Sequence, residues 1–387
     1  MTKFAIFAER PVDVYRKSDI GLVIGVILLW GLGLFTLYAC SASYAERAFE
    51  DQFYFIKRQA LLSVAGIVAF VLCASVKLSV VRRILPWIVI GAFVLCLMAF
   101  VPGIKSPRNG AHRWIVIPFV GETFQPSELA KVAVILFLAN WFDKHDEQEI
   151  EKRSSIGKPI TVLALFVGIV MLQEDFSTAL FIFVLGLILF YMAGAKLGKL
   201  IPFVVLAVFA MLLFVFSSNF RVNRLIAFLN PDFDTHGYNY QTFAARSAIS
   251  AGGLLGQGFG AGLEKIKRVP EIQNDYIFSG WAEGMGFVGV LLYFALLLFF
   301  SWRAYAVSLK AGDKFSALLG FGAASCLLLQ SVLNCGVVCG ALPATGITLP
   351  FFSYGGSSLL ITFCLCGLVV NVSRSDSSES IDMEYEI

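Results

Sequence analysis

Long, continuous apolar runs constrain the fold of this chain more than any other feature. Near residues 20–40, 60–76, 84–101, 128–142, 159–172, 178–194, 200–217, 280–302, 316–340 and 350–372 the sequence is mostly Leu, Ile, Val, Phe, Ala and Gly, with few charges. A helix needs about 20 largely apolar residues to cross a bilayer, so each run is a candidate span. The runs are continuous rather than alternating, which argues against a β-barrel. Composition agrees: 58% of the 387 residues are hydrophobic and only 15% are charged, against roughly 25% charged in a soluble domain. So few polar residues cannot cover a water-facing surface, which excludes a cytosolic enzyme, a disordered scaffold and a secreted disulfide module. The expected fold is all-α: a polytopic integral membrane protein with about ten transmembrane helices and one long extracytoplasmic loop.

A net charge of +3 is too balanced to argue for nucleic acid. The eight cysteines lie in or beside apolar runs without metal-ligand spacing, and read as buried small hydrophobes. Three regions are expected: a cytoplasmic segment 1–19, a membrane domain 20–372 holding the outer loop 218–279, and an acidic, Ser-rich disordered tail 373–387. The first residues lack signal-peptide order, so the first run is expected to be a retained helix. Ten spans put both termini on one side. That side carries 17 Lys and Arg in its short loops, against 6 on the other. By the positive-inside rule the termini are cytoplasmic and the 218–279 loop faces out.

Charges at membrane depth are functional candidates by default. Glu128 and Lys131 open the fourth run one helical turn apart. Two readings stand side by side there: a self-neutralising ion pair, or a cationic patch of Lys131 with His112 and Arg113 that holds a phosphate or pyrophosphate. Glu174 and Asp175 sit between the fifth and sixth runs, where a solvated turn is the plainer reading. Arg221, Arg224, Arg246, Lys265, Lys267 and Arg268 make the outer loop basic enough to attract an anionic substrate. Its glycine-rich stretch 252–260 is a weak phosphate-loop signature, since no strand precedes it. Asp275 stands at the edge of the eighth run, where partial desolvation suits a general base. Glu283 follows about two turns deeper. Gln330 and Asn334 share one helical face and fit interhelical hydrogen bonding. The Pro- and Gly-rich segment LPATGITLPFFSYGGSSLL must be shielded by protein or line a wet cavity, and so helps shape a site.

In order along the chain stand GAHRWI (110–115), FQPSELAK (124–131), GYNYQ (237–241), AISAGGLLGQGFG (248–260), VPEIQNDYIF (269–278) and GITLPFFSYGGSSL (346–359). With these motifs the chain resembles the SEDS proteins, the FtsW, RodA and SpoVE membrane glycosyltransferases that polymerise peptidoglycan. The resemblance spans about residues 20–372. Thr348 followed by Ser357 and Ser358 is similar to the division branch. The resemblance implies a ten-helix fold and transfer of the disaccharide-pentapeptide of lipid II from undecaprenyl pyrophosphate on the outer face of the bacterial cytoplasmic membrane, at the septum. It implies Asp275 as the catalytic acid-base residue. Substrate contacts are expected at Arg113, Lys131, Glu128, Arg246, Gln241 and Ser353. It also implies a class B penicillin-binding protein and other divisome proteins as partners, in a setting of membrane lipid. No cofactor is established: a divalent cation, Mg or Mn, could share the neutralisation of pyrophosphate, but no metal-ligand spacing demonstrates one.

Departures from the family pattern are Gln273 and Asn274 where His and Thr are usual, Glu174 and Ser177 where Pro and Gly are usual, and Thr345 in place of a lysine. Two other functions compete with polymerase. A lipid II flippase needs charges at mid-membrane and on both sides, whereas here they cluster at the outer boundary. A non-catalytic divisome scaffold would fit the acidic tail and the altered residues beside Asp275.

Overall fold

The computed structural model describes residues 18–102, 113–116, 123–145, 156–230, 237, 239–259 and 272–374. The N-terminal segment before residue 18, the tail from 375, and His112, Lys265, Lys267 and Arg268 lie outside the described residues.

Ten helices coincide with the ten apolar runs. They are α1 (Ile20–Phe49), α2 (Tyr54–Ser75), α3 (Leu78–Met98), α4 (Pro126–Asp143), α5 (Gly157–Leu172), α6 (Phe176–Met192) and α7 (Leu197–Phe216), then α10 (Ile277–Leu309), α11 (Lys314–Val338) and α12 (Gly356–Val372). Six of them, α1, α2, α3, α7, α10 and α11, are long and apolar enough to cross a membrane, and α5, α6 and α12 are shorter apolar helices. The chain is a polytopic, almost wholly helical membrane protein. Two further helices, α8 (Asn219–Leu229) and α9 (Tyr240–Gly252), occupy the stretch expected as a single loop over 218–279. The stretch is polar in sequence yet folds locally. The short strands β1 (Ile115–Val116) and β2 (Thr123–Phe124) pair antiparallel, with Ile115 opposite Phe124, just before α4.

Local chemistry sets the helix starts. Asp19 accepts from the N–H of Leu22 to cap α1, and Asp313 accepts from the N–H of Ser316 to cap α11. Pro126 opens α4, where its missing N–H costs nothing. At the end of the bundle where α11 begins, Arg82 of α3 bridges Asp143 and Asp313 at 2.6 and 2.5 Å. Arg303 near the end of α10 pairs with Asp19.

Burial separates inner from outer helices. Leu61, Val64, Val68 and Leu72 of α2 and Val205, Leu206, Phe209 and Leu213 of α7 are exposed, as suits contact with lipid tails. Along α4, α11 and α12 most side chains are buried. Lipid tails are as apolar as leucine, so these helices associate by close packing and hydrogen bonds rather than by expulsion of water. Small residues on α11, among them Ala317, Ala323 and Ala324, are fully or almost fully buried there. Five of the eight cysteines are buried, as expected of small hydrophobes, while Cys339 at the end of α11 is exposed.

Helix α10 is broken at Gly286, where φ is 65° and ψ −163°. The break strands backbone groups that bilayer depth does not leave unpaired. The glycine-rich stretch after α9 satisfies them. Gln257 and Gly258 donate to the carbonyls of Glu283 and Gly284 at 3.0 Å each. Phe287 and Val288 donate back to Gly253 and Leu254 at 2.9 and 3.1 Å. A Cβ on Gly286 would overlap the backbone of Gly256 and Leu254. Glycine is thus required for backbone-to-backbone approach, and the stretch serves as a splint on α10 rather than a phosphate cradle.

Candidate active site at the head of helix α10

Asp275 lies half-buried in the turn 272–276 that leads into α10. Three separate elements hold this turn. Asn334 of α11, itself 1% exposed, donates to the carbonyls of Asp275 and Ile347 at 2.7 and 2.8 Å. Tyr354 donates its backbone N–H to the carbonyl of Gln273 at 2.7 Å. The hydroxyls of Tyr276 and Thr242 bond at 3.1 Å and join the turn to α9. Burial, and secondarily the charge of Asp275, pushes the Tyr276 phenol above its usual range, with the Thr242 hydrogen bond pulling the other way. Tyr276 is therefore a neutral hydrogen-bonding group at physiological pH.

The Asp275 carboxylate and the Arg113 guanidinium converge on Gly346. A Cβ built there would lie 3.5 Å from Asp275 Oδ2 and 4.0 Å from Arg113 Nη1. Gly346 has φ +77°, so the non-helical segment 341–355 brings a bare Cα beside both charged groups.

Arg113 is oriented from behind by Asp175, with 3.6 Å between Nη1 and Oδ1. Asp175 is 2% exposed. It accepts from Gln125 Nε2 at 2.8 Å and from the N–H of Thr178 at 3.4 Å, which caps α6. A solvated turn is thus the wrong description for Asp175. It fits only Glu174, whose exposed side chain lies 4.0 Å from Arg221. The signal present in the sequence was an Asp three residues before a Thr at the head of an apolar run, an N-cap pattern.

Lys131 and Glu128 do not join that surface. They form a 2.8 Å ion pair and are only 2% and 6% exposed. Lys131 Nζ also donates to Gln330 Oε1 at 2.8 Å. Gln330 Nε2 donates to the carbonyl of Thr348 at 3.0 Å, and the hydroxyls of Thr348 and Ser358 bond at 2.7 Å. The expected cationic patch is therefore split: Arg113 stands at the mouth, while Lys131 spends its charge inside the bundle. Ser353 is likewise turned inward. It is 5% exposed, its hydroxyl accepts from the N–H of Leu349 at 2.7 Å, and its carbonyl accepts from Gln59 at 3.1 Å. Its hydroxyl closes a turn.

Arg246 is exposed on α9 and lines a cleft of about 530 Å³ with Arg224, Asn239, Ser250 and Pro343. Arg224 donates to the carbonyl of Ala344 at 3.2 Å, two residues from Gly346, and Thr242 of the cleft wall bonds to Tyr276, so the cleft adjoins the turn that bears Asp275. Gln241 is half-buried in the first turn of α9 and is not part of the cleft wall. Glu283 is fully buried below the turn. Among the described residues no three His, Cys, Asp or Glu side chains converge to hold a metal ion. Sequence reasoning assigned Asn334 only interhelical bonding, because its partners are distant in sequence and leave no spacing signature.

The family model described as "Cell cycle protein", covering FtsW, RodA and SpoVE, matches residues 21–378. A probable peptidoglycan glycosyltransferase FtsW from Geobacter sp. (strain M18) is 35% identical over 94% of this chain and 98% of that protein. Stage V sporulation protein E of Bacillus subtilis (strain 168) is 33% identical over 92% of this chain and 97% of its own. Two solved structures share the fold. One, described as "Structural coordination of polymerization and crosslinking by a peptidoglycan synthase complex", matches with a TM-score of 0.77 at 26% identity, over 92% of this chain and 98% of that one. The Thermus thermophilus rod shape determining protein RodA matches with a TM-score of 0.68 at 26% identity, over 93% and 98%.

Proposed function

The chain belongs to the FtsW, RodA and SpoVE family of cell cycle proteins, and from that membership we propose that it is a peptidoglycan glycosyltransferase of septal cell-wall synthesis. The names of its curated relatives support the activity and the division role. Its substrate is lipid II. The observation that carries the chemistry is the convergence of Asp275 and Arg113 on Gly346.

The acceptor sugar's 4-hydroxyl gives its proton to the Asp275 carboxylate as its oxygen bonds to the donor's anomeric carbon. The bond from that carbon to the pyrophosphate oxygen breaks, and the electron pair leaves with undecaprenyl pyrophosphate. Arg113 stands where it can neutralise the departing charge, and Arg224 and Arg246 extend the positive wall along the cleft. A carboxylate positioned for proton transfer contributes about 10²–10⁴ in rate. Glu128, Lys131 and Ser353 act at one remove, by fixing the 346–358 segment. Gln241 is kept as a sugar contact on the expectation from its motif alone. A divalent cation would enter with the substrate's phosphates.

The excess of Lys and Arg in alternate loops supports cytoplasmic termini and an outward-facing site in the cytoplasmic membrane. The likeness to a peptidoglycan synthase complex supports pairing with a class B penicillin-binding protein. A flippase reading is disfavoured, because Lys131 and Glu128 neutralise each other within the bundle. The test is to reconstitute the chain with its partner in liposomes carrying lipid II. Glycan polymer is expected; lipid II scrambling without polymer would establish the flippase instead.

A further inference from the structure

Gln59 of α2 does not line the glycosyl-transfer site, yet two hydrogen bonds connect it to the turn that carries Asp275. It is fully buried. Its Nε2 donates to the carbonyl of Ser353 at 3.1 Å, and the backbone N–H of Tyr354 donates to the carbonyl of Gln273 at 2.7 Å. The Ser353 carbonyl and the Tyr354 N–H belong to one planar peptide unit. That unit is therefore held at both edges, by α2 on one side and by the Asp275 turn on the other. A bond accepted at its carbonyl polarises the peptide and strengthens the bond that its N–H donates. Gln59 Oε1 is buried and accepts from no described residue, so what the amide supplies here is its donor.

Local preference does not place this peptide. Two residues upstream, Phe351 adopts φ +67°, a costly conformation for a bulky residue that persists only where the surroundings impose it. Helices α1 and α2 are those surroundings. A Cβ on Gly33 of α1 would overlap the Phe351 carbonyl, so the strained backbone lies directly on α1. One turn before Gln59, Phe55 packs edge-on against the Tyr354 ring, with 5.0 Å between centroids. One turn beyond Gln59, Leu62 lies against Gly356, where a Cβ would meet its methyl groups at 3.2 Å. Three successive turns of α2 thus meet residues 353–356, and Gln59 supplies the polar contact among them.

We propose that Gln59 is a positioning residue for glycosyl transfer: through the 353–354 peptide it fixes the Gln273–Asp275 turn, and so places the Asp275 carboxylate against the acceptor hydroxyl. The proposal rests on the reading of Asp275 as the base. It adds α2 to the frame that orients that base, opposite the hold that Asn334 of α11 has on the Asp275 carbonyl.

The test compares Gln59→Met with Ser63→Ala in the full chain assembled with its partner. Met keeps the length and nearly the volume of Gln but donates no hydrogen bond. Ser63, one turn along α2, accepts from Trp30 at 3.0 Å and donates to the Gln59 carbonyl at 2.7 Å. Ser63→Ala therefore removes buried hydrogen bonds from the same helix and leaves the 353–354 peptide alone. Gln59→Met should lower kcat by about tenfold with KM for lipid II within about twofold, as a misplaced reacting group does. Ser63→Ala should keep native kcat and KM. Hydrogen exchange on the same chains needs no activity. Gln59→Met should speed exchange at the Tyr354 amide and over residues 276–279 by about tenfold, and Ser63→Ala should not. Native kcat in Gln59→Met, a KM change as large as the kcat change, an equal kcat loss in Ser63→Ala, or exchange unaltered by Gln59→Met would each overturn the proposal. A native chain that makes no polymer would sink the polymerase reading instead, and the exchange result would then decide whether Gln59 holds the turn.

Discussion

Asn334 holds the carbonyl of Asp275 at 2.7 Å and that of Ile347 at 2.8 Å with one side-chain amide, so the turn bearing the carboxylate and the segment bearing Gly346 are clamped to α11 together. The clamp sets the distance across which a sugar hydroxyl must meet the base. Misplacing a reacting group by about 1 Å can cost about 10² in rate. Asn334→Leu should therefore lower kcat by about 10²-fold with little change in KM. Steady-state polymerisation across a lipid II titration checks this. Equal effects on kcat and on lipid II affinity would show that Asn334 binds substrate instead.

The Glu128–Lys131 pair is buried, and removing one partner of such a pair is more damaging than removing both. Lys131→Met should destabilise the protein by about 3–5 kcal/mol, while Glu128→Gln with Lys131→Met should recover much of that. Thermal unfolding of the single and double variants in detergent measures the difference. A double variant as unstable as Lys131→Met alone would remove the ion pair from the account.

Arg113 is expected to act through charge placed by Asp175. Arg113→Ala should cost about 10²–10³ in kcat, the scale of losing one group that stabilises developing negative charge. Asp175→Asn should show a smaller rate loss, together with about 1 kcal/mol of stability from the weakened cap on α6. Wild-type polymerisation by Arg113→Ala would place the pyrophosphate elsewhere.

Tyr276 gives a pH dependence with a defined sign. Its folded pKa is raised above the ordinary 10, so the folded state holds the phenolic proton more tightly than the unfolded chain. The stabilisation is full below pH 10 and is lost as pH rises through the raised value. Tyr276→Phe should flatten that alkaline loss, as read from melting temperatures between pH 8 and about 11.5.

The ten spans were legible because each is a continuous apolar run that bilayer thickness converts directly into a helix. Helices α8 and α9 were not, because Arg221, Arg224 and Arg246 gave their short sequences the look of a charged loop. The last run was read from residue 350, yet α12 begins only at Gly356. Phe351 there adopts φ +67°, a left-handed conformation rare for a bulky residue, held where Gln59 and Leu349 tie down Ser353. Asp275 and Arg113 were visible as isolated charges near a boundary. That both lie beside Gly346 depends on contacts between residues far apart in the chain, and no local pattern encodes those.

The most direct measurement compares Asp275→Asn with the native chain, each assembled with its partner, for polymer formation and separately for lipid II binding. Asn keeps the shape and hydrogen-bonding reach of the side chain but cannot take the proton. Polymerisation should fall by about 10²-fold or more while lipid II affinity stays within a few-fold. Polymer made at the native rate by Asp275→Asn would contradict the assignment of the base.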